Sequence, residues 1–267
     1  MADWTDLYRE LAHWAGAGRR PGLWWRDDDA VAPGPRLETL TELSKTSGVP
    51  VGLAVIPGRA KADLGGAVAD VAGLKMLVHG WRHQNNAPAD QKKAEFGAHR
   101  PAQKMLDDAA NSRQSLAALF PDLALPVFVP PWNRVDEQLV ARLPLSGLTA
   151  LSRFGRRAAP HAPDGAPDDA PADVLVGPLE CNCHLDLIDW RGGRGFIGRA
   201  RALDSLIDHL QARRSGHADH DETTGILTHH DVMDRQSWDF LAELFDRTQE
   251  SDSAHWLTID EVFRLPQ

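Results

Sequence analysis

The chain has 267 residues, of which 42% are hydrophobic, and a formal net charge of −9 at pH 7. This length and apolar content suffice for one full core, so we expect a single domain over residues 1–267. The negative charge argues against nucleic acid or an anionic membrane surface as a partner, because both attract positive potential. A small or neutral substrate fits the composition better.

The sequence shows no recognisable targeting segment. Its first residues contain no basic stretch followed by an apolar stretch, and no apolar run approaches the roughly 18 residues of a membrane span. The two cysteines, Cys181 and Cys183, are too close to each other for a mutual disulfide and suit a reducing compartment. We therefore expect a cytoplasmic protein without a membrane span.

Helices and strands are predicted to alternate from the amino terminus onward. Apolar residues spaced three and four apart indicate helices, whereas short runs of apolar and β-branched residues indicate strands. In the first half, the order is helix 4–14, strand 23–27, helix 37–45, strand 49–56, strand 74–78, helix 101–120 and strand 126–129.

The second half continues this alternation around one irregular segment. Residues 155–173 are rich in Ala, Pro, Asp and Gly and lack apolar periodicity, so we expect an irregular surface segment there. The other predicted elements are strand 147–154, strand 174–179, helix 200–214, strand 225–228, helix 238–248 and strand 256–259. The alternation predicts βαβ units and an α/β fold, with a mostly parallel sheet that closes or nearly closes into a barrel.

Residues whose side chains could take part in catalysis or bind a ligand follow four of the predicted strands. Because the active sites of parallel barrels lie at the carboxyl ends of the strands, we expect these residues to converge. They are Asp28 and Asp29 after the first strand, His79 and His83 after strand 74–78, Trp132 and Asn133 after strand 126–129, and His229 and His230 after strand 225–228.

One carboxylate and two histidines from two strand ends form a candidate metal site. His79 and His83 are four residues apart, so both rings can face the same way. With Asp29 they offer two nitrogens and one oxygen, the ligand set of catalytic zinc and of related divalent ions such as Co, Ni and Mn. Such an ion lowers the pKa of its water to about 7 and polarises a carbonyl oxygen. Asp28 could then accept the proton of the water, and His229 could donate a proton to a departing amine.

Five motifs occur in the order found in polysaccharide deacetylases, and through them the sequence resembles that family, also known as carbohydrate esterase family 4 or the NodB-homology domain. The resemblance spans about residues 22–262. The motifs are Asp28-Asp29, His79 to His83, Phe128 to Asn133, Asp186 to Trp190 and Leu227 to His229.

The resemblance implies a distorted (β/α) barrel and a metal-dependent hydrolase. The implied reaction removes an N-acetyl or other N-acyl group from an amino-sugar-containing carbohydrate, with zinc as the first choice of metal. The implied roles are general base for Asp28, acid for His229, and metal ligand for Asp29, His79 and His83.

Further residues have supporting roles by the same resemblance. The backbone N–H after the Pro-Pro turn, in the segment formed by Pro131, Trp132 and Asn133, would stabilise the oxyanion together with the ion. Three residues would orient His229 or, alternatively, cap local backbone: Asp186, Asp189 and Trp190.

The sequence departs from the family's motifs at several strand ends. It has three adjacent carboxylates, so Asp27 either points away from the site on the strand or is itself the base. His230 beside His229 leaves a similar choice for the acid. Val129 replaces the arginine that usually precedes Pro-Pro, and the candidates for its role are Arg26, Arg134 and Arg153.

Tryptophan is unusually frequent, with nine residues in the chain. Several lie close in sequence to the predicted site and could form a sugar-stacking wall: Trp24, Trp25, Trp81, Trp132 and Trp190. Two alternative functions stay open. One is hydrolysis of another non-peptide C–N bond in a small amide, and the other is a catalytically silent carbohydrate-binding homologue.

Overall fold

The computed structural model describes residues 1–157, 177–250 and 253–265. Its strands are β1 (Gly22–Ala30), β2 (Val51–Val55), β3 (Lys75–His79), β4 (Ala124–Val129), β5 (Ala150–Leu151), β6 (Leu179–Glu180), β7 (Cys183–Asp186), β8 (Thr224–Thr228) and β9 (His255–Trp256). Its α-helices are α1 (Trp4–Gly16), α2 (Pro35–Ser47), α3 (Asp63–Val68), α4 (Ala102–Leu119), α5 (Glu137–Val140), α6 (Arg199–Ser215), α7 (Arg235–Glu250) and α8 (Ile259–Val262). Among these helices, none has the length and apolar character needed to cross a membrane.

All paired strands of the sheet run parallel. Their order is β6-β5-β4-β3-β2-β1-β8-β7, and β9 lies beside β1. The sheet curls until β7 meets the segment that follows β5, where Gly155 N–H donates to the Cys183 carbonyl at 2.8 Å and Cys183 N–H donates to the Arg153 carbonyl at 3.0 Å. Helices pack on the outer face of the curled sheet. The predicted distorted (β/α) barrel is confirmed.

Side chains of β1 alternate between two buried layers, as the pleat of a strand requires. Leu23 and Trp25 pack in the outer layer, between the strands and the helices. Trp24 packs inside the barrel, where it belongs to a separate apolar cluster with Ala54, Leu77, Val127, Val129 and Leu227. Phe263, which follows α8, closes the amino-terminal end of the barrel with its ring edge-on to Trp24, the ring centroids being 5.6 Å apart.

A glycine makes room for Trp24 inside the barrel. Gly225 lies opposite Trp24 on β8. A Cβ atom at this position would lie 2.5 Å from Trp24 Nε1 and 2.6 Å from the carbonyl oxygen of Asn182. The second of these atoms is backbone and cannot rotate away, so the close approach of β7, β8 and Trp24 requires glycine.

The predicted strand 256–259 is wrong beyond its first residue. β9 ends at Trp256, and Thr258 begins a helix instead. The Glu261 carboxylate accepts the Thr258 N–H at 2.8 Å, and Thr258 Oγ1 accepts the Glu261 N–H at 3.3 Å. This capping box satisfies two otherwise unpaired donors and outweighs the strand preference of the β-branched residues.

The chain around the irregular segment differs from the prediction in extent. The predicted strand 147–154 contains only the two residues of β5. Residues 158–173 of the predicted irregular segment and residues 174–176 of the predicted strand 174–179 lie outside the described residues, and β6 begins at Leu179.

We expect Gly225→Ala to lower the free energy of unfolding by about 1–3 kcal/mol, because the added methyl overpacks the barrel interior. The control is Gly16→Ala at the end of α1, where a Cβ meets nothing within 4 Å. That substitution should leave stability unchanged or raise it by up to about 1 kcal/mol. Urea denaturation of both variants checks the difference, and equal effects would contradict this account of the interior.

Candidate functional site

The end of β1 turns so that two adjacent carboxylates face one site. In a regular strand, Asp28 and Asp29 would point to opposite sides. The pairing register between β1 and β2 shifts between Asp27 and Ala30, and Asp29 has φ = 76°, in the left-handed region. Asp tolerates this conformation better than most residues. The irregularity acts as a β-bulge that re-aims Asp29.

Asp29 contacts both histidines that follow β3. Its Oδ1 is 3.1 Å from His79 Nε2 and 3.2 Å from His83 Nε2. His79 Nδ1 lies 3.0 Å from the carbonyl oxygen of Val129, which can only accept, so Nδ1 carries the proton. When the ring is neutral, its Nε2 lone pair faces the carboxylate. In the metal-free protein burial lowers the pKa of His79, but the charge of Asp28 and the hydrogen bond to Asp29 outweigh it and raise that pKa, so a proton on Nε2 can bond to Asp29. Two acceptors at this distance need a proton or a cation between them, and the three side chains fit a divalent ion.

The charges of this cluster favour cation binding. Burial raises the pKa of Asp29, but the hydrogen bond and charge of His79 and the charges of His83 and His229 outweigh it, so the pKa lies well below its ordinary value. Burial and the neighbouring His79 lower the pKa of His83. At neutral pH the carboxylate is ionised and His83 is neutral, which are the states that bind metals.

Asp28 is paired with an arginine from its own strand. Arg26 is fully buried, with Nε 2.9 Å from Asp28 Oδ1 and Nη2 donating to Asp28 Oδ2 at 3.0 Å. Arg26 Nη1 also donates to Ser152 Oγ at 2.7 Å. The other two candidates lie elsewhere, since Arg153 pairs with Glu180 and Arg134 donates to a backbone carbonyl. Arg26 is thus the arginine in contact with Asp28.

The Pro-Pro turn reaches the same site. Trp132 and Asn133 both have φ = 56°, which bends the chain sharply after the buried Pro131. The Trp132 ring packs on His83 with centroids 4.3 Å apart, and Asn133 Oδ1 accepts from Arg26 Nη2 at 2.8 Å. Within the described residues, the backbone N–H of Trp132 has no hydrogen-bond partner. This donor is available to an oxygen of a ligand.

His229, which follows β8, is in contact with Trp190 and under the influence of Asp186. Trp190 lies edge-on to the imidazole, with centroids 4.7 Å apart, and donates from Nε1 to Asp186 Oδ2 at 2.7 Å. Burial raises the pKa of Asp186, and the His229 charge acts against that rise. Trp190 is 44% exposed, so one part of its ring holds His229 and another faces solvent.

Asp27 and His230 lie behind the strand, in the outer layer. Asp27 Oδ2 accepts from Thr228 Oγ1 at 2.6 Å and from the His230 N–H at 2.9 Å. Asp27 Oδ1 is 2.5 Å from His230 Nδ1. The alternation of β1 therefore separates Asp27 from Asp28, and His230 points away from His229.

Three more predicted residues lie apart from the cluster. Asp189 accepts the N–H of Gly192 and pairs with Arg201, so it caps a loop and has no described contact with His229. Trp24 and Trp25 are fully buried packing residues. A sugar-stacking wall that includes those two tryptophans is wrong, because neighbouring strand residues pack into different layers.

Two residues that support the site are absent from the five motifs. Ser152 holds Arg26, and Glu95 binds the loop that carries His83. Glu95 lies between Ala94 and Phe96, which are both buried, and an acid inside a buried apolar pair was the available signal. Ser152 follows a two-residue strand and shows no comparable pattern.

A second polar cluster lies beside β7, formed by His184, His209 and Glu222, all buried. The two rings stack face to face, with centroids 3.3 Å apart and planes 11° apart. Metal-binding lone pairs lie in the ring plane, so no ion can bind both nitrogens in this arrangement. His184 Nδ1 also accepts the N–H of Gly225 at 3.1 Å, which puts the proton of the neutral ring on Nε2. The cluster is a pair of neutral histidines beside an acid.

No family model matches the sequence, and no curated protein matches it. Solved structures do match. A protein described as a polysaccharide deacetylase from Mycobacterium smegmatis aligns with a TM-score of 0.61 and 13% identity, over 92% of this chain and 90% of that one. A family 4 carbohydrate esterase from Streptomyces lividans, in complex with acetate, aligns with 0.52 and 13% identity over 86% and 89%. A family 4 acetyl xylan esterase from Clostridium thermocellum, with a cobalt ion, aligns with 0.51 and 13% identity over 91% of both chains.

These likenesses show the fold. The chain has the barrel of the carbohydrate esterase family 4 deacetylases, at sequence identities far below those of close relatives. The fold implied by the five motifs is therefore confirmed.

We expect Arg26→Met to lower the free energy of unfolding of the metal-free protein by about 3–5 kcal/mol, because it leaves Asp28 buried without a cation. The double variant Arg26→Met/Asp28→Asn removes both charges and should be clearly more stable than the single variant. A double-mutant cycle from urea denaturation measures the coupling. The exposed pair Lys45–Asp70 is the control and should couple by less than about 1 kcal/mol; equal coupling in the two cycles would contradict the buried pair.

The second cluster predicts a pH dependence of stability. Burial lowers the pKa of His184 to about 3 and that of His209 to about 2, and it raises the pKa of Glu222 to about 7. Below about pH 6.5 the unfolded chain protonates both histidines while the folded protein does not, so stability is lost as pH falls. Glu222 acts in the opposite direction, since its folded form keeps a proton that the unfolded form releases above about pH 4.5.

Two histidines against one acid leave a net loss of stability towards acid. We expect His209→Gln to reduce the drop in unfolding free energy between pH 7 and pH 5.5 by roughly 1 kcal/mol relative to the unsubstituted protein. Urea denaturation at the two pH values measures it. His99→Gln, at an exposed histidine, should leave the drop unchanged; a drop in His209→Gln as large as in the original would refute the neutral-pair assignment.

Proposed function

We propose that the protein is a metal-dependent hydrolase that removes an N-acetyl or other N-acyl group from an amino-sugar-containing carbohydrate. The observation that carries the proposal is the acceptor set of Asp29, His79 and His83 beside a buried, ion-paired Asp28. The likeness to deacetylase and esterase barrels supports the same reaction class.

Asp29, His79 and His83 would hold the metal, with zinc as the first choice and Co, Ni or Mn as alternatives. The ion, when bound, lowers the pKa of water to about 7 and polarises the acyl oxygen. The cobalt ion in the Clostridium thermocellum esterase is in keeping with a divalent metal on this fold.

Asp28 would be the general base. Its carboxylate accepts the proton of the water that attacks the acyl carbon, while Arg26, which also donates to Ser152, holds the carboxylate in place. The acyl oxygen gains negative charge in this step, and the unpaired N–H of Trp132 would donate to it.

His229 would be the general acid. It donates a proton to the departing nitrogen as the C–N bond breaks, so that the products are a carboxylic acid and a free amine. Trp190, with its solvent-facing part, would pack on a sugar ring beside the scissile bond.

The competing proposal of a catalytically silent carbohydrate-binding protein rests on the missing arginine at Val129. The contact between Arg26 and Asp28 supplies an arginine to the carboxylate from another position and weakens that argument. The hydrolase is therefore the better-supported of the two.

The test is acetate release by the zinc-loaded protein from N-acetylglucosamine oligomers and N-acetylated sugar conjugates. We expect Asp28→Asn to lower the rate by about 10²–10⁴-fold, the usual effect of losing a general base. His79→Ala should lose both metal and activity, because it removes a ligand. His209→Gln, at the second cluster, should keep one metal per chain and full activity.

Three other outcomes would change the assignment. No acetate above the Asp28→Asn background would refute the deacetylase. Release from small N-acyl amides but not from sugars would favour hydrolysis of another C–N bond. Sugar binding that persists in chelator, with less than one metal per chain, would favour the silent homologue.

A further inference from the structure

The loop after β3 wraps around a buried carboxylate that comes from a distant segment. Glu95 is 2% exposed, and its side chain accepts hydrogen bonds from four consecutive backbone N–H groups. The donors are Trp81 at 3.1 Å, Arg82 at 2.8 Å, His83 at 3.2 Å and Gln84 at 3.4 Å. One of these residues, His83, is a member of the candidate metal site.

The four hydrogen bonds to Glu95 restrict which side chain can occupy this position. Among the described residues, no Lys, Arg or His forms an ion pair with this carboxylate, so converging backbone dipoles offset its charge. Four converging N–H donors need an acceptor with two oxygens and no donor of its own, which among side chains is an ionised carboxylate. Removing it would leave several buried donors unpaired, at about 1–3 kcal/mol each.

The backbone of the loop is shaped around the same carboxylate. Gly80 has φ = +57°, and a Cβ there would lie 2.3 Å from Glu95 Oε2 and 2.4 Å from Pro131 Cγ. His83 has φ = 56°, in the left-handed region that few non-glycine residues adopt. The conformation that brings His83 to Asp29 is therefore one that the bonds to Glu95 have to maintain.

Glu95 is itself fixed against the barrel. Its carbonyl oxygen accepts from Arg100 Nη1 at 2.9 Å and from Asn86 Nδ2 at 3.1 Å. The next residue, Phe96, packs edge-on to Phe128 of β4, with centroids 5.1 Å apart. These contacts fix the position of the Glu95 carboxylate, and the loop after β3 folds around it.

We propose that Glu95 is a positioning residue that holds the His83 imidazole in place for metal binding. The inference rests on the proposed function, because it assumes that His83 is a ligand. Glu95 contacts none of the three ligating side chains; it acts through the backbone of the loop, including the N–H of His83. Outer partners of metal ligands typically contribute 10–100-fold in metal affinity.

The first measurement is hydrogen exchange of the metal-free protein, with Glu95→Gln as the variant. A glutamine offers one oxygen and two N–H donors, so it cannot pair with four N–H groups. We expect the amides of residues 81–84 to exchange at least about tenfold faster, as loss of their hydrogen bonds predicts, while β2 keeps its protection. The control is Glu222→Gln, which removes another buried carboxylate that accepts two backbone N–H groups, from Arg157 and Asn182. It should leave residues 81–84 unchanged.

The second measurement is cobalt binding, followed by equilibrium dialysis and by the visible absorption of the bound ion. Glu95→Gln should weaken cobalt binding by about 10–100-fold and shift the spectrum towards that of His83→Ala, since one imidazole is displaced. Glu95→Asp keeps the charge on a shorter side chain and should fall between the original protein and Glu95→Gln in both measurements. Glu222→Gln should bind cobalt as the original does.

The outcomes separate the two proposals. Unchanged exchange at 81–84 in Glu95→Gln, or unchanged cobalt affinity and spectrum in a protein that binds cobalt, would refute the role of Glu95 alone. An original protein that binds no cobalt would refute the metal-dependent function and this role with it. If Glu95→Gln does not fold, Glu95→Asp decides, and cobalt binding equal to that of the original would overturn the proposal.

Discussion

Moving an ionised carboxylate from water into a protein interior costs several kcal/mol unless a cation or hydrogen-bond donors accompany it. β1 carries three consecutive carboxylates, and each has its own partner in a different direction. The pairs are Asp27 with His230 in the outer layer, Asp28 with Arg26 inside the barrel, and Asp29 with His79 and His83 at the carboxyl end of the strands. The three charges therefore do not compete for one cation. The bulge at the end of β1 makes the third direction possible, since strict alternation provides only two.

The pair between Arg26 and Asp28 follows from strand geometry. Residues two apart in a strand lie on the same face, about 6.6 Å from each other, and an arginine side chain is long enough to lie back along that distance. The position opposite Arg26 on β2 is Gly52, and the side chains of Leu77 and Ile259 fill the space beside this glycine. Ser152 then binds the far side of the guanidinium. In this chain, the arginine that pairs with Asp28 therefore comes from the same strand, two residues earlier, and not from the position before Pro-Pro, which is Val129.

Much of the fold and part of the site could be predicted, because long apolar runs mark the strands and parallel strands bring their carboxyl ends together. The direction of the Asp29 side chain could not be predicted, since it depends on the left-handed backbone conformation of Asp29 itself. Glu95 has only a weak sequence signal, an acid between two apolar residues, because it joins the loop of His83 through backbone hydrogen bonds that need no matching side chain. Trp24 and Trp25 lie near the site in sequence, yet strand alternation places them in separate packing layers.

Most side chains of the candidate site are held in place by hydrogen bonds or ion pairs with other residues. An ion would therefore meet a largely preformed set of ligands. His229 is the exception. Its Nδ1 is buried without a hydrogen-bond partner among the described residues, and Trp190 holds the ring only by packing. Asp186 acts on His229 electrostatically, and a carboxylate oxygen keeps a lone pair after accepting one bond. The negative charge of Asp186 would thus attract the positive charge that the proposed acid carries before it donates its proton.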